Sequence, residues 1–179
     1  LAFVHDPGPA GDYFMPRSIG SGAAFFDANN DGRLDILLLQ NAGPESHARH
    51  RLFLQNAGGH FTDASAGSGL DVAGHAMGVG IGDLNNDGWP DVVITEYRGL
   101  RLFLNQRNGT FREITAEAGL NNPGWGASVA CTDVDRDGWL DLVVVNYVDY
   151  QPSQRCWGKD GQPEFCGPSG FPDTVTRLF

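Results

Sequence analysis

The chain has 179 residues, the size of one ordinary domain, and carries 12 Lys and Arg against 22 Asp and Glu, a formal net charge of −10. That balance excludes both the basic surface that nucleic acid requires and a polybasic membrane patch. The longest apolar runs, such as Ile36 to Leu39, fall far short of the ~18 residues of a membrane span, the 41% hydrophobic content excludes general disorder, and 25 glycines without a collagen period point to many turns in an all-β chain.

In chain order, Phe14-Met15-Pro16-Arg17 precedes Gly22-Ala23-Ala24-Phe25-Phe26, which reads as a short strand. Its small residues suit close packing against neighbouring backbone. Asp27 to Asp35 follows as a turn-rich acidic loop, and Ile36-Leu37-Leu38-Leu39 as a strand buried on both faces. His47 and His50 lie in the next segment, which reads as a solvated loop. Arg51-Leu52-Phe53-Leu54 and Gly59-His60-Phe61-Thr62 are the third and fourth strands, and Ser65 to Leu70 closes the unit as a short turn or helix. The cycle then starts again: Gly78 to Ile81, the acidic loop Asp83 to Asp91, Val92-Val93-Ile94, Arg101 to Leu104, and the Asn108-Gly109 hairpin turn leading into Phe111. It starts a third time with Ala127 to Ala130, the loop Asp133 to Asp141, and Leu142 to Val145.

These segments are an internal repeat. Asp83 to Asp91 returns 50 residues later as Asp133 to Asp141, and the same offset relates Arg51-Leu52-Phe53 to Arg101-Leu102-Phe103. Four short strands in ~50 residues is the signature of a β-propeller blade. The expected fold is all-β: blades of four antiparallel strands, about three of them, forming part of a propeller. The units run approximately 1–58, 59–108 and 109–179, the last truncated and carrying an insertion at 146–176. The chain starts at Leu1 without Met, so either a leader has been removed or it is a fragment. The truncated third unit reads as part of a longer propeller that further blades would complete.

The three acidic loops share the pattern Asp-x-(Asp/Asn)-x-Asp-Gly-x-x-Asp. Alternate oxygens on a tight turn made by glycine are the means by which a short loop wraps a hard cation, and oxygen donors without His or Cys select Ca²⁺ over zinc or copper. The candidate ligands are Asp27, Asn29, Asp31, Arg33 and Asp35; Asp83, Asn85, Asp87, Trp89 and Asp91; and Asp133, Asp135, Asp137, Trp139 and Asp141, with Arg33, Trp89 and Trp139 offering backbone carbonyls. The loops hold ten acidic residues, and the other twelve balance the twelve bases, so the whole net charge resides there. Carboxylates crowded into one turn repel unless a cation separates them. Three filled sites would bring the net charge from −10 to −4. The pattern is not an EF-hand, because position 12 is Leu38, Ile94 and Val144 inside the apolar strand.

These motifs resemble the FG-GAP/VCBS repeats of integrin alpha-type β-propellers across nearly the whole chain. The resemblance is closer still to propellers paired with an ASPIC/UnbV domain, similar to the cartilage acidic protein-like family. The carriers are Phe14 to Arg17, Gly20 to Asp27, and Cys156 to Arg177 with Cys166-Gly167-Pro168. The resemblance implies a secreted, calcium-stabilised, non-catalytic propeller.

Cys156 and Cys166, ten apart in a Gly/Pro-rich insertion, read as a disulfide pinning a long loop, with two free thiols as the alternative. Cys131 reads as a buried, inert thiol. Trp89, Trp125, Trp139 and Trp157 are candidates for a sugar-stacking surface, though packing over a neighbouring blade better suits Trp89 and Trp139. His60 and His75 take non-equivalent places in the repeat and form no catalytic group. The expected function is a calcium-binding interaction or scaffold module, secreted, periplasmic or at the cell surface, with a protein or glycan partner. A polysaccharide lyase or hydrolase with its catalytic residues mostly outside this segment is the alternative.

Overall fold

The computed structural model describes residues 1–179, and its sheets follow the repeat. Strands β1 (Ala23–Phe26), β2 (Asp35–Leu38), β3 (Arg51–Gln55) and β4 (Phe61–Asp63) form one antiparallel sheet in sequence order. Strands β5 (Ala76–Gly82), β6 (Asp91–Glu96), β7 (Gly99–Asn105) and β8 (Phe111–Glu113) form the second in the same order. Strands β9 (Gly126–Thr132) and β10 (Asp141–Asn146) begin the third. A two-stranded hairpin of β11 (Cys156–Trp157) and β12 (Pro163–Glu164) interrupts it before β13 (Arg177–Leu178) pairs with β10. The fold is thus all-β, built of propeller-type blades. The sheets are offset from the repeat units: β4 pairs with β3 across 58/59, and β8 with β7 across 108/109.

Alternation on β6, the second strand of the middle blade, binds the sheets together, whereas the third blade's β10 leaves Val145 exposed. In β6 all six residues are buried. Val92 and Ile94 join Phe26, Leu37, Leu39 and Leu52 of the first blade, whereas Val93 joins Leu142 and Val144 of the third. Successive side chains on a strand point to opposite faces, so one apolar run packs against both neighbours. Phe111 of β8 also reaches the first blade, its ring edge-on to Phe26 with centroids 6.2 Å apart.

The edge strands β1, β5 and β9 converge. A Cβ placed on Gly78 would lie 2.8 Å from the Cα of Ser128 on β9, closer than any side chain tolerates, so glycine is required for this approach. The segments Ser65–Leu70 and Thr115–Leu120 are turns without α-helix.

The acidic loops close the hairpins from each converging strand to its neighbour: Phe26 pairs with Asp35, Gly82 with Asp91 and Thr132 with Asp141. At the other end of the same strands lies an aromatic cluster. Trp125 is 1% exposed and contacts Tyr97, Tyr147 and Tyr150 edge-on, at centroid distances of 5.8, 5.2 and 5.6 Å. This removes Trp125 from the candidate sugar-stacking residues: its ring is core. His50 also departs from expectation. It is fully buried, because its N–H donates to Val72 O at 3.1 Å and its Nδ1 accepts from Gln40 N at 3.0 Å, which tie the insertion down. His47 is exposed as expected.

Candidate metal centre

Each loop winds around its first aspartate. Asp27 accepts from Asp31 N and Gly32 N at 3.0 and 2.7 Å, and Asp83 from Asp87 N and Gly88 N at 2.9 and 2.7 Å. Asp133 accepts from Asp137 N and Gly138 N at 3.1 and 3.0 Å. The turn needs two left-handed positions, one at the glycine and one two residues before it. Asn30, Asn86 and Arg136 have φ of 54°, 54° and 66°, separated by one residue from Gly32, Gly88 and Gly138 at 83°, 85° and 91°. Glycine adopts this region freely, and asparagine more readily than most residues.

The fifth position is held by the seventh: the backbone N–H of Arg33, Trp89 and Trp139 donates to Asp31, Asp87 and Asp137 at 3.0, 2.9 and 2.8 Å. The last aspartate staples the loop to its own sheet. Asp35 accepts from Ala28 N and Gln55 N at 2.9 and 2.8 Å, and Asp91 from Leu84 N and Asn105 N at 3.0 and 2.8 Å. Both carboxylates are fully buried. Burial pushes their pKa up, while these backbone N–H bonds pull the other way. Asp141 accepts from Val134 N at 2.8 Å and is only half-buried.

The loops differ as cation sites. In the third, oxygens of Asp133, Asp135 and Asp141 all lie within 4.8 Å of one another. No equivalent carboxylate group forms in the other two, for two reasons. Their third position is neutral, Asn29 or Asn85. Their fifth carboxylate has an arginine partner: Arg33 pairs with Asp31, and Arg107 Nε lies 3.0 Å from Asp87. In the first loop, however, Asn29 Oδ1 is buried with no hydrogen-bond partner. A buried carbonyl oxygen left unpaired is costly, and a cation satisfies it. The donor chemistry of all three loops is hard oxygen and fits a group-two divalent ion.

Other candidates fall outside this chemistry. Cys156 and Cys166 form the disulfide. Cys131 is free and half-buried, and burial, followed by the Asp91 carboxylate, pushes its thiol up to about 11, so it is a poor nucleophile. His75 is half-buried, its ring packed 5.0 Å from Phe14, and His60 is exposed. Trp89 is half-buried and Trp139 is 53% exposed.

Repeated blades with an acidic loop at the same hairpin define a repeat protein of β-propeller type. The chain belongs to the FG-GAP-like repeat family, whose repeat matches residues 27–94 and again 83–144. No curated protein matches the chain.

Proposed function

We propose that this chain is a calcium-binding, non-catalytic propeller segment that acts as an extracellular interaction module. The observation that carries the reading is the third loop, where Asp133, Asp135 and Asp141 converge within 4.8 Å. Asp137 and the carbonyl of Trp139 would complete that shell. In the first two loops the holders would be Asp27, Asn29, Asp31, Arg33 and Asp35, and Asp83, Asn85, Asp87, Trp89 and Asp91. A bound Ca²⁺ supplies positive charge that relieves carboxylate repulsion and rigidifies the hairpin.

Membership of a repeat family used for interaction, and a disulfide, support an oxidising, calcium-rich compartment outside the cytoplasm. No helix is long and apolar enough to cross a membrane. The paired cysteines and the Phe14 to Arg17 motif favour the ASPIC/UnbV-associated, cartilage acidic protein-like branch. The partner is a protein or a glycan. Extracellular calcium modules bind with Kd of ~10⁻⁴ to 10⁻³ M, and ten times Kd adds about 1.4 kcal/mol per site. Thermal unfolding in EDTA, millimolar CaCl₂ and matched MgCl₂ tests this. A calcium-specific rise in Tm is expected. Equal midpoints in all three, with no heat of binding, would overturn it.

A further inference from the structure

Two segments stand outside the repeat: the N-terminal residues before β1 and the insertion after β10. They pack on each other. Met15 N donates to Tyr150 Oη at 3.3 Å, Phe14 and Tyr150 have ring centroids 5.7 Å apart, and Tyr13 lies edge-on to Phe165 at 5.4 Å. The junction packs on the aromatic cluster at Met77 and Trp125, and three adjoining clefts open along it. One of about 420 Å³ is lined by Tyr13, Trp157, Arg155 and Asp12. It shares Asp12 and Arg155 with a second of about 320 Å³, which contains Phe14, Tyr150 and His75. The second shares Arg17 with a third of about 550 Å³, which contains Asp6, Glu45, Ser46 and His47. The first and third share nothing, so the three are arranged in series as an elongated groove.

Four features of this groove point to a ligand. Trp157, at the aromatic end of the groove, is 63% exposed, and Phe165, edge-on to Tyr13, is 46% exposed. Tyr13 has a φ of 50°, a left-handed conformation that costs a bulky side chain energy and that recurs at binding sites. Arg17 Nε is buried without a hydrogen-bond partner. The lining charges nearly cancel: Asp6, Asp12 and Glu45 against Arg17 and Arg155.

We propose that this groove binds a neutral polysaccharide chain, with Trp157 and Tyr13 as stacking platforms at one end. The exposed indole offers a flat face to the C–H side of a sugar ring. The guanidinium, carboxylate, hydroxyl and imidazole groups beyond it offer planar donors and acceptors to hydroxyls. A protein partner would want an apolar pocket for an anchor residue, whereas the largest cleft is lined almost wholly by polar groups and small residues. Near-neutral lining disfavours a polyanion. The volumes lie in the range of small-molecule sites, and their arrangement in series suits a polymer.

This inference rests on the reading of the chain as an interaction module and names its partner class. The test is calorimetric titration of the calcium-loaded full chain with cellopentaose, laminaripentaose, xylopentaose, mannopentaose and chitopentaose, with glucose and tetragalacturonate as controls. At least one neutral pentasaccharide is expected to bind saturably and at least tenfold tighter than glucose. Trp157→Ala should weaken that binding at least tenfold, and Trp157→Phe, which keeps a stacking ring beside the disulfide, should recover most of it. Unchanged binding in Trp157→Ala overturns the proposal. So does preference for tetragalacturonate. Failure of every neutral sugar, with the calcium-dependent Tm rise intact, overturns the glycan assignment alone and leaves a protein partner. Loss of the calcium response itself would instead sink the underlying reading.

Discussion

The side-chain amide of Asn30 donates to the carbonyl of Gly88, 58 residues away on the acidic loop of the next blade, at 3.0 Å. The same bond recurs one blade further on, where Asn86 Nδ2 donates to Gly138 O at 2.9 Å. The fourth position of one loop is thus tied to the sixth position of the next, and the loops form a chain along one end of the blades. Asparagine serves here twice over: it tolerates the left-handed backbone and carries the donor. Asn86→Gly keeps the backbone and removes the donor. It should cost about 1 kcal/mol, a fall in Tm of roughly 2–4 °C for a chain of this size. Asn86→Asp, which turns an acceptor toward the Gly138 carbonyl, should fall at least as far. Calorimetric midpoints matching the unsubstituted chain in both variants would show that the bond contributes nothing.

The second loop has a built-in competitor. Arg107 sits 3.0 Å from Asp87 on an otherwise exposed side chain. A cation entering that loop must displace it. Exposed pairs contribute about 0.2–1 kcal/mol, so Arg107→Gln should tighten calcium binding at this loop by up to about fivefold. In the third loop, which has no such arginine, Asp135→Ala should weaken binding tenfold or more. Titration with isothermal calorimetry reads both, and tightening in neither loop after Arg107→Gln would remove the competitor role.

The blades were legible in the sequence because their determinants are local. A strand buried on both faces must be continuously apolar, and a turn through two left-handed positions demands Asn and Gly; both marks repeat with a fixed offset. What escaped was decided by contacts across the fold. His50 lies in a Gly/Pro/Ser-rich stretch that reads as solvated, yet Val72 and Gln40 hold it in the core. Trp125 looked like a surface candidate until Tyr97, Tyr147 and Tyr150 closed over it. The inequality of the loops was legible in part, in Asn29 and Asn85 against Asp135, but the Arg107 partner of Asp87 lies twenty residues away and outside the motif. The bonds between loops also had a signal: Asn at the fourth position of two loops, Asn30 and Asn86, and Arg136 in the third.

The disulfide acts on a small part of the chain. Cys156 and Cys166 enclose the β11–β12 hairpin, with a sequence separation of 10. A closed loop of that length restricts the unfolded chain by about 3 kcal/mol in the entropic account. Because the hairpin packs with the aromatic cluster rather than between blades, Cys156→Ser/Cys166→Ser should open the insertion first. Limited proteolysis is expected to cut between Tyr147 and Phe171 at least tenfold faster, with the blades 23–132 protected. Cleavage inside the blades at the same rate would mean that the bridge stabilises the whole fold.

Acid should unfold the protein partly through His50. Burial, with Arg101 and Arg49 nearby, lowers its pKa from 6.5 to about 4. The folded state therefore holds a neutral imidazole where the unfolded chain takes up a proton. Between those two values the unfolded state binds more protons, so stability falls as pH falls. The contribution is fully present above about 6.5 and is lost progressively down to about 4, a total of about 3 kcal/mol. His50→Gln, which keeps an acceptor for Gln40 N but cannot protonate, should flatten this part of the profile while lowering stability at pH 7.5, because the ring volume is lost from a closed site. Urea unfolding at pH 7.5, 6.0 and 5.0, in EDTA so that calcium linkage does not enter, reads the slope. If His50→Gln and the unsubstituted chain lose stability in parallel over that interval, the acid sensitivity belongs to other groups.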